Sequence, residues 1–304
     1  MGASKLVADA PAQHTLAVSL RPYRSPWRDA LRTTTSNRRS VAGLLIIGAL
    51  VVGALMADAV APHDPYRGQL VDRLQGPDSG FFFGTDELGR DILSRVVHGT
   101  RISLGVALVA TGISVSIGLL VGAVAGYVGG WVDNLIMRIS DVFLAFPSLV
   151  LAITMVAVFG ASLWNVMIAL GLTAWVGYAR VIRGSFLSLK GQPFVEASRA
   201  VGASPARIIF RHMIPNALAP IIVIATLGMG YMIVGEASLS YLGLGAQPPT
   251  ASWGSMLSSG RNYMQVAPWV AAFPGAAIIV TVLGFNMLGD ALRDVLDPRL
   301  RGAS

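Results

Sequence analysis

The stretch RISLGVALVATGISVSIGLLVGAVAGYVGGWVD, residues 101–133, carries no charge between Arg101 and Asp133. A helix rising about 1.5 Å per residue needs about 20 apolar residues to cross about 30 Å of hydrocarbon, and this run exceeds that length. It reads as one membrane-spanning helix over 102–128 with a turn at its end. Gly118, Gly122, Gly126 and Gly130 recur every four residues and fall near one helix face. In lipid, helix association relies on van der Waals contact, so such a stripe predicts a closely packed neighbouring helix.

Outward from that run the pattern repeats. Of 304 residues, 54% are hydrophobic and 13% charged, a balance that does not suit a solvated globular surface. Further apolar runs predict spans at 41–61, 142–159, 163–179, 213–235 and 266–288, giving an all-α polytopic membrane protein with six transmembrane helices. The tail 1–40 is mostly polar and holds Lys5, Arg21, Arg24, Arg28, Arg32, Arg38 and Arg39, so the first run reads as a retained anchor and not a cleaved signal. Pro147, Pro215, Pro220 and Pro274 lie in or at the ends of spans, as tolerated kinks whose freed carbonyls neighbouring helices re-satisfy.

Between the first two spans lies a polar segment, 62–99, with six acids and four arginines. Within it FGTDELGRDILSRVVHG, residues 83–99, places Thr85 as an N-cap and Leu88, Ile92 and Val96 four apart, predicting an amphipathic helix that leads into the second span. Counting Lys and Arg on alternate sides of six spans gives seventeen with the chain ends and six opposite, which together are the 23 in the chain. Basic residues favour the cytoplasmic side, so both termini, including the tail 291–304, are cytoplasmic. The bases sit in short segments between spans, a pattern of contact with membrane lipid and not a nucleic-acid-binding stripe. Cysteine is absent, which excludes disulfides, thiolate metal sites and cysteine nucleophiles. His14, His63, His98 and His212 have no metal-ligand spacing, so no metal site is expected.

One cytoplasmic segment is unlike the rest. In EASRAVGASPARIIFRHMIP, residues 196–215, a short helix over 193–201 is followed by Gly202 where a left-handed cap is wanted. Ser204 then serves as the N-cap of a second helix with Pro205 in its first position. That second helix runs into the fifth span. Local chemistry alone fits two uses: helices resting on lipid headgroups, or a rigid lever for a partner protein.

The same stretch resembles the EAA loop of ABC importer permeases, with Glu196, Ala197, Ser198, Gly202 and Pro215 at the shared positions. Ser198 replaces the second Ala, Ile214 stands where Leu is usual, and His212 is familiar in the peptide-transporter branch. FGTDELGRDILSRVVHGTRISL, RISDVFLAFPSLVLA, GEASLSYLGLGAQPPTASWGSML and TVLGFNMLGDALRDVLDPRL resemble, in order, the C-type permease subunit of dipeptide, oligopeptide and nickel uptake systems. The resemblance covers about 25–301. It implies a type I ABC importer permease fold, with a permease domain over 100–290 and a coupling loop over 187–212, in the inner membrane of a prokaryote.

The implied activity is ATP-driven uptake of di- or oligopeptides, with nickel or glutathione as alternatives. Its implied partners are a B-type permease in a heterodimer, one or two ABC ATPase subunits and an extracytoplasmic substrate-binding protein. Lys5 and Lys190 are the only lysines and neither follows a phosphate-cradling glycine loop, so the chain is expected to be no enzyme and to hold no cofactor, with ATP and Mg on the ATPase subunits. Substrate-contacting residues are not indicated. Glu236 and Asp141 are expected to be solvated interfacial carboxylates, and Tyr241, Trp253 and Trp269 to form an outer aromatic belt. Segment 236–265 has two charges and could fold back as an external gate. A self-sufficient secondary transporter would bury ionisable groups in mid-membrane, and spans two to six are almost free of them away from their ends.

Overall fold

The computed structural model describes residues 38–296. In chain order its helices are α1 (Arg38–Leu55), α2 (Ala57–Val60), α3 (Ile92–Val128), α4 (Gly130–Leu144), α5 (Ser148–Phe159), α6 (Leu163–Lys190), α7 (Pro193–Ala200), α8 (Pro205–Arg207), α9 (Ile214–Tyr241), α10 (Trp253–Gly260) and α11 (Trp269–Leu296). Among the described residues there is no strand, only an isolated bridge between Thr85 and Asp91. Five helical stretches are long and apolar enough to cross a membrane: α1, α3, α6, residues 205–241 from α8 through α9, and α11. The bent pair α4 and α5 makes a sixth crossing. The N-terminal tail through residue 37 and the chain beyond 296 lie outside the described residues, and with them most of the N-terminal charge cluster.

The glycine stripe sets the central contact, between α3 and α6. A Cβ at Gly118 would come within 2.5 Å of Tyr178 Cβ, one at Gly122 would strike the Ala179 carbonyl, and one at Gly126 would come within 2.6 Å of Phe186 Cβ. Bare backbone therefore lets the two helices touch along about two turns. Gly130 is not part of the stripe: it starts α4, with φ +61°. Around this pair α9 packs on α11, and α11 on α1, where Gly43 and Gly284 again face a neighbouring helix closely.

Several boundaries differ from those read in the sequence. The first span stops at Leu55, and Asp58 sits on the separate α2, bonded to Arg101 at 2.9 Å and His98 at 3.1 Å. Thr85 caps no helix. Its hydroxyl is occupied by the Asp72 carbonyl and the Gln75 amide, the chain stays irregular to residue 91, and Asp91 caps α3 by accepting from the Ser94 amide at 2.8 Å. The expected amphipathic helix is the first turns of one 37-residue helix. The third span is broken: α4 and α5 meet at 80°. Pro147, lacking an N–H and disfavouring helix in the residue before it, stands at that break. The fourth, fifth and sixth spans extend to Lys190, Tyr241 and Leu296.

The external face is closed by the 62–91 segment and α10. Asp86 pairs with Arg90 at 2.6 Å and Arg95 at 3.4 Å, and Phe83 stacks on Phe273 at 3.9 Å. Trp253 is fully buried and donates its Nε1–H to the Val96 carbonyl at 2.9 Å, while Gly99 leaves room for its ring. It is no belt residue. Trp269 is half-buried and donates to the Thr85 carbonyl at 3.3 Å. Glu236 is likewise not solvated: it is completely buried in α9 and accepts from Ser240 Oγ at 2.6 Å.

Candidate functional site

The cytoplasmic helix α7 is built from opposed requirements. Glu196 in its first turn and Arg199 in its last complement the helix dipole. Pro193 fills the first helical position, where its missing N–H has no consequence. The C-terminal end closes as a Schellman motif, with the Ala203 amide donating to the Ser198 carbonyl at 3.0 Å and the Gly202 amide to the Arg199 carbonyl at 2.9 Å. Gly202 holds φ +80°, the left-handed region that penalises a Cβ by about 1–2 kcal/mol. Ser204 then accepts from the Arg207 amide at 3.4 Å and starts the next helix.

One side chain anchors α7. Val195 is completely buried in a cluster with Phe186, Ile208 and Met213. Arg199 lies over the Tyr127 ring at 5.5 Å, a cation–π contact that ties the helix to the end of α3. The other face is open. Phe194, Glu196, Ala197, Val201 and Gly202 are exposed, Val201 by 83%, and Phe210 beside them by 64%. An apolar patch with a carboxylate in it, on a helix anchored from behind, has the make-up of a docking surface.

The connection to the membrane is continuous. From Pro205 the helix passes through a π-helical turn over Ile208–Met213 into α9. Pro215 follows that wide turn, and the Asn216 side chain donates to the His212 carbonyl at 2.6 Å, supplying a partner near the position that proline leaves without a donor. On the other side α6 reaches Lys190, two residues before α7. Near that end Asp133 of α4 pairs with Arg183 at 2.6 Å. A push on α7 therefore meets two long helices and no slack loop.

The comparisons with known proteins give this arrangement its context. Residues 118–302 match the family described as binding-protein-dependent transport system inner membrane component. That span is more than half of the chain. The chain belongs to this family. Residues 25–77 of the permease further match the N-terminal TM domain of oligopeptide transport permease C. The permease is 46% identical over 277 residues to a dipeptide transport system permease protein of Alkalihalophilus pseudofirmus, covering 91% of each chain. It is also 46% identical over 280 residues to a glutathione transport system permease protein of Escherichia coli, covering 92% of each. In fold it is similar to a chain of the inward-facing MetNI methionine ABC transporter, with TM-score 0.56 and 22% identity over 68% of this chain and 98% of that one. The permease is thus a multi-pass inner-membrane protein of type I fold.

Of the residues singled out in the sequence, the structure of the permease brings Glu196, Ala197, Ser198 and Gly202 together on α7 and its cap, and puts Pro215 at the base of α9. Ser198 does not face outward fully: its hydroxyl donates to the Phe194 carbonyl at 2.7 Å, inside the helix. Tyr127, Phe194 and Val201 were not singled out. Only Phe194 and Val201 carry a local signal, large apolar side chains on a short helix otherwise polar. No group of three His, Cys, Asp or Glu able to hold a metal occurs among the described residues.

Proposed function

We propose that this permease carries di- and oligopeptides across the inner membrane, driven by ATP hydrolysis on separate ATPase subunits that grip α7. Glu196 would meet the ATPase through charge or hydrogen bonds, Ala197 and Ser198 would permit close approach, and Gly202 would fix the turn that joins α7 to α9. ATP and Mg would be held by the ATPase pair, with this chain as the non-catalytic membrane half of a heterodimer with a B-type permease. An extracytoplasmic binding protein would deliver the peptide. The observation that carries this reading is the exposed face of α7, backed by one buried valine and joined without slack to two crossing helices.

Closure of the ATPase pair would move α7 as a rigid body, and α6 and α9 with it. The two states would differ in which side of the membrane the path opens to. Glutathione, itself a peptide, is a second substrate reading, favoured by the 46% identity to a glutathione permease.

The reading is tested by tagging this chain, extracting it in mild detergent and identifying what co-purifies with wild type and with Glu196→Arg plus Gly202→Pro. Recovery of a second permease and ATPase subunits, with the ATPase lost from the double variant while the protein still inserts, is the expected result. Recovery of the chain alone, with uptake driven by an ion gradient and indifferent to both substitutions, would sink it.

A further inference from the structure

The broken third crossing lies on an open face of the helix bundle, with residues 141–147 exposed. Gly160 to Ser162 join the outer end of α5 to α6, and the 12 residues of α5 rise about 18 Å, so Ser148 lies near the middle of the 28-residue α6, itself about 42 Å long. Tyr231 of α9 is at the same level: Gly228, one turn before it, packs on Tyr178, and Gly235, one turn after it, packs on Leu170. Across the break Ser148 Oγ and Tyr231 OH are 2.7 Å apart, with Tyr231 52% exposed. Toward the cytoplasm Arg180 donates to Asp141 at 2.6 Å, their side chains 45% and 54% exposed.

Hydrocarbon is a poor neighbour for this face. A break frees backbone carbonyls at the end of α4 and amides at the start of α5, where no side chain caps the helix. Irregular backbone at membrane depth is tolerated where protein or water covers it, and an ion pair near that depth turns away from lipid. The exposed face of α3 is different in kind: Leu108, exposed by 65%, has no polar group to shield.

We propose that the break between α4 and α5, with the Ser148 and Tyr231 hydroxyls at its level, lines a water-filled path and hydrogen-bonds the main-chain amides of the peptide in transit. This rests on the reading of the chain as a peptide permease. Each hydroxyl can donate and accept, so the pair bonds itself when the path is empty and a peptide N–H or C=O when it is filled. Such contacts read the backbone and ignore the side chains, which suits a path that passes peptides of different sequence.

The absence of cysteine makes the test clean, because a single introduced thiol in this chain reports alone. The complete transporter carrying Ser148→Cys, Tyr231→Cys or, as the lipid-facing control, Leu108→Cys is reconstituted in vesicles and treated with a charged, membrane-impermeant methanethiosulfonate. A thiol reacts as its thiolate, which forms in water and not in hydrocarbon, so both path cysteines are expected to react about tenfold faster than the control. Dialanine added during turnover is expected to slow both. Tyr231→Phe, which keeps the ring, is expected to raise KM for dialanine about fivefold, the loss of one hydrogen bond. Labelling no faster than at Leu108→Cys, or unaffected by dialanine, overturns the proposal. ATP-driven dialanine uptake by the unsubstituted transporter in the same vesicles separates the two claims: uptake with unprotected cysteines defeats this proposal alone, and no such uptake defeats the peptide reading beneath it.

Discussion

The two faces of this permease are finished to different degrees. The external face closes on itself, with Trp253 and Glu236 wholly buried and Asp86 held between Arg90 and Arg95. The cytoplasmic face ends in α7, with a single fully buried side chain, Val195, and exposed apolar residues around Glu196. The contrast teaches that the external cap is tied into the fold by buried polar and aromatic contacts, whereas under the proposed function α7 would be completed by an ATPase subunit.

Substitutions can break that contrast or sharpen it. Trp253→Ala removes a buried ring and its bond to Val96, and is expected to destabilise the chain by about 3–5 kcal/mol, seen as a lower thermal unfolding midpoint in detergent. Gly122→Val drives a side chain into the Ala179 backbone and should lower stability by about 1–3 kcal/mol, whereas Gly112→Ala, where an added Cβ meets nothing within 4 Å, should not lower it. Gly202→Ala should strain only the α7 cap, by about 1–2 kcal/mol, leaving the midpoint almost in place while the ratio of peptide transported to ATP hydrolysed falls. A midpoint shift for Gly202→Ala as large as for Trp253→Ala would erase the distinction between the two faces.

The smallest effect concerns pH. Arg101, and after it His98, hold the exposed Asp58 carboxyl below the usual carboxylate range. The tie between α2 and α3 is therefore fully present above the ordinary carboxylate pKa of about 4 and is lost as pH falls through the lowered value. Wild type and Asp58→Asn should differ slightly in midpoint at neutral pH and converge in strong acid. A difference that grows as the pH falls would contradict this.

How much was legible follows from the range of each interaction. The apolar runs and the Gly202–Ser204–Pro205 turn could be read because each is decided within a few residues. The break at Pro147 could not, since it lies in an apolar run that reads the same bent or straight. Trp253 and Glu236 were misplaced for a related reason. Trp253 is buried by Val96 and Gly99, more than 150 positions away in the chain, so an aromatic near a span end looks the same whether it faces lipid or core. Thr85 lost its expected place to Asp91 because Asp72 and Gln75 had already taken its hydroxyl. Family resemblance supplied what locality did not: the expectation that Glu196 and its neighbours face a partner.

The most direct measurement is a contact at that partner. A benzophenone maleimide attached to Ala197→Cys, in a chain without other cysteines, should on illumination of the assembled transporter form an adduct with the ATPase subunit, and the same probe at Leu108→Cys should not. An Ala197 probe that captures only lipid or water while the complex remains intact and active would contradict the account, because α7 would then rest on the membrane surface and not in the ATPase.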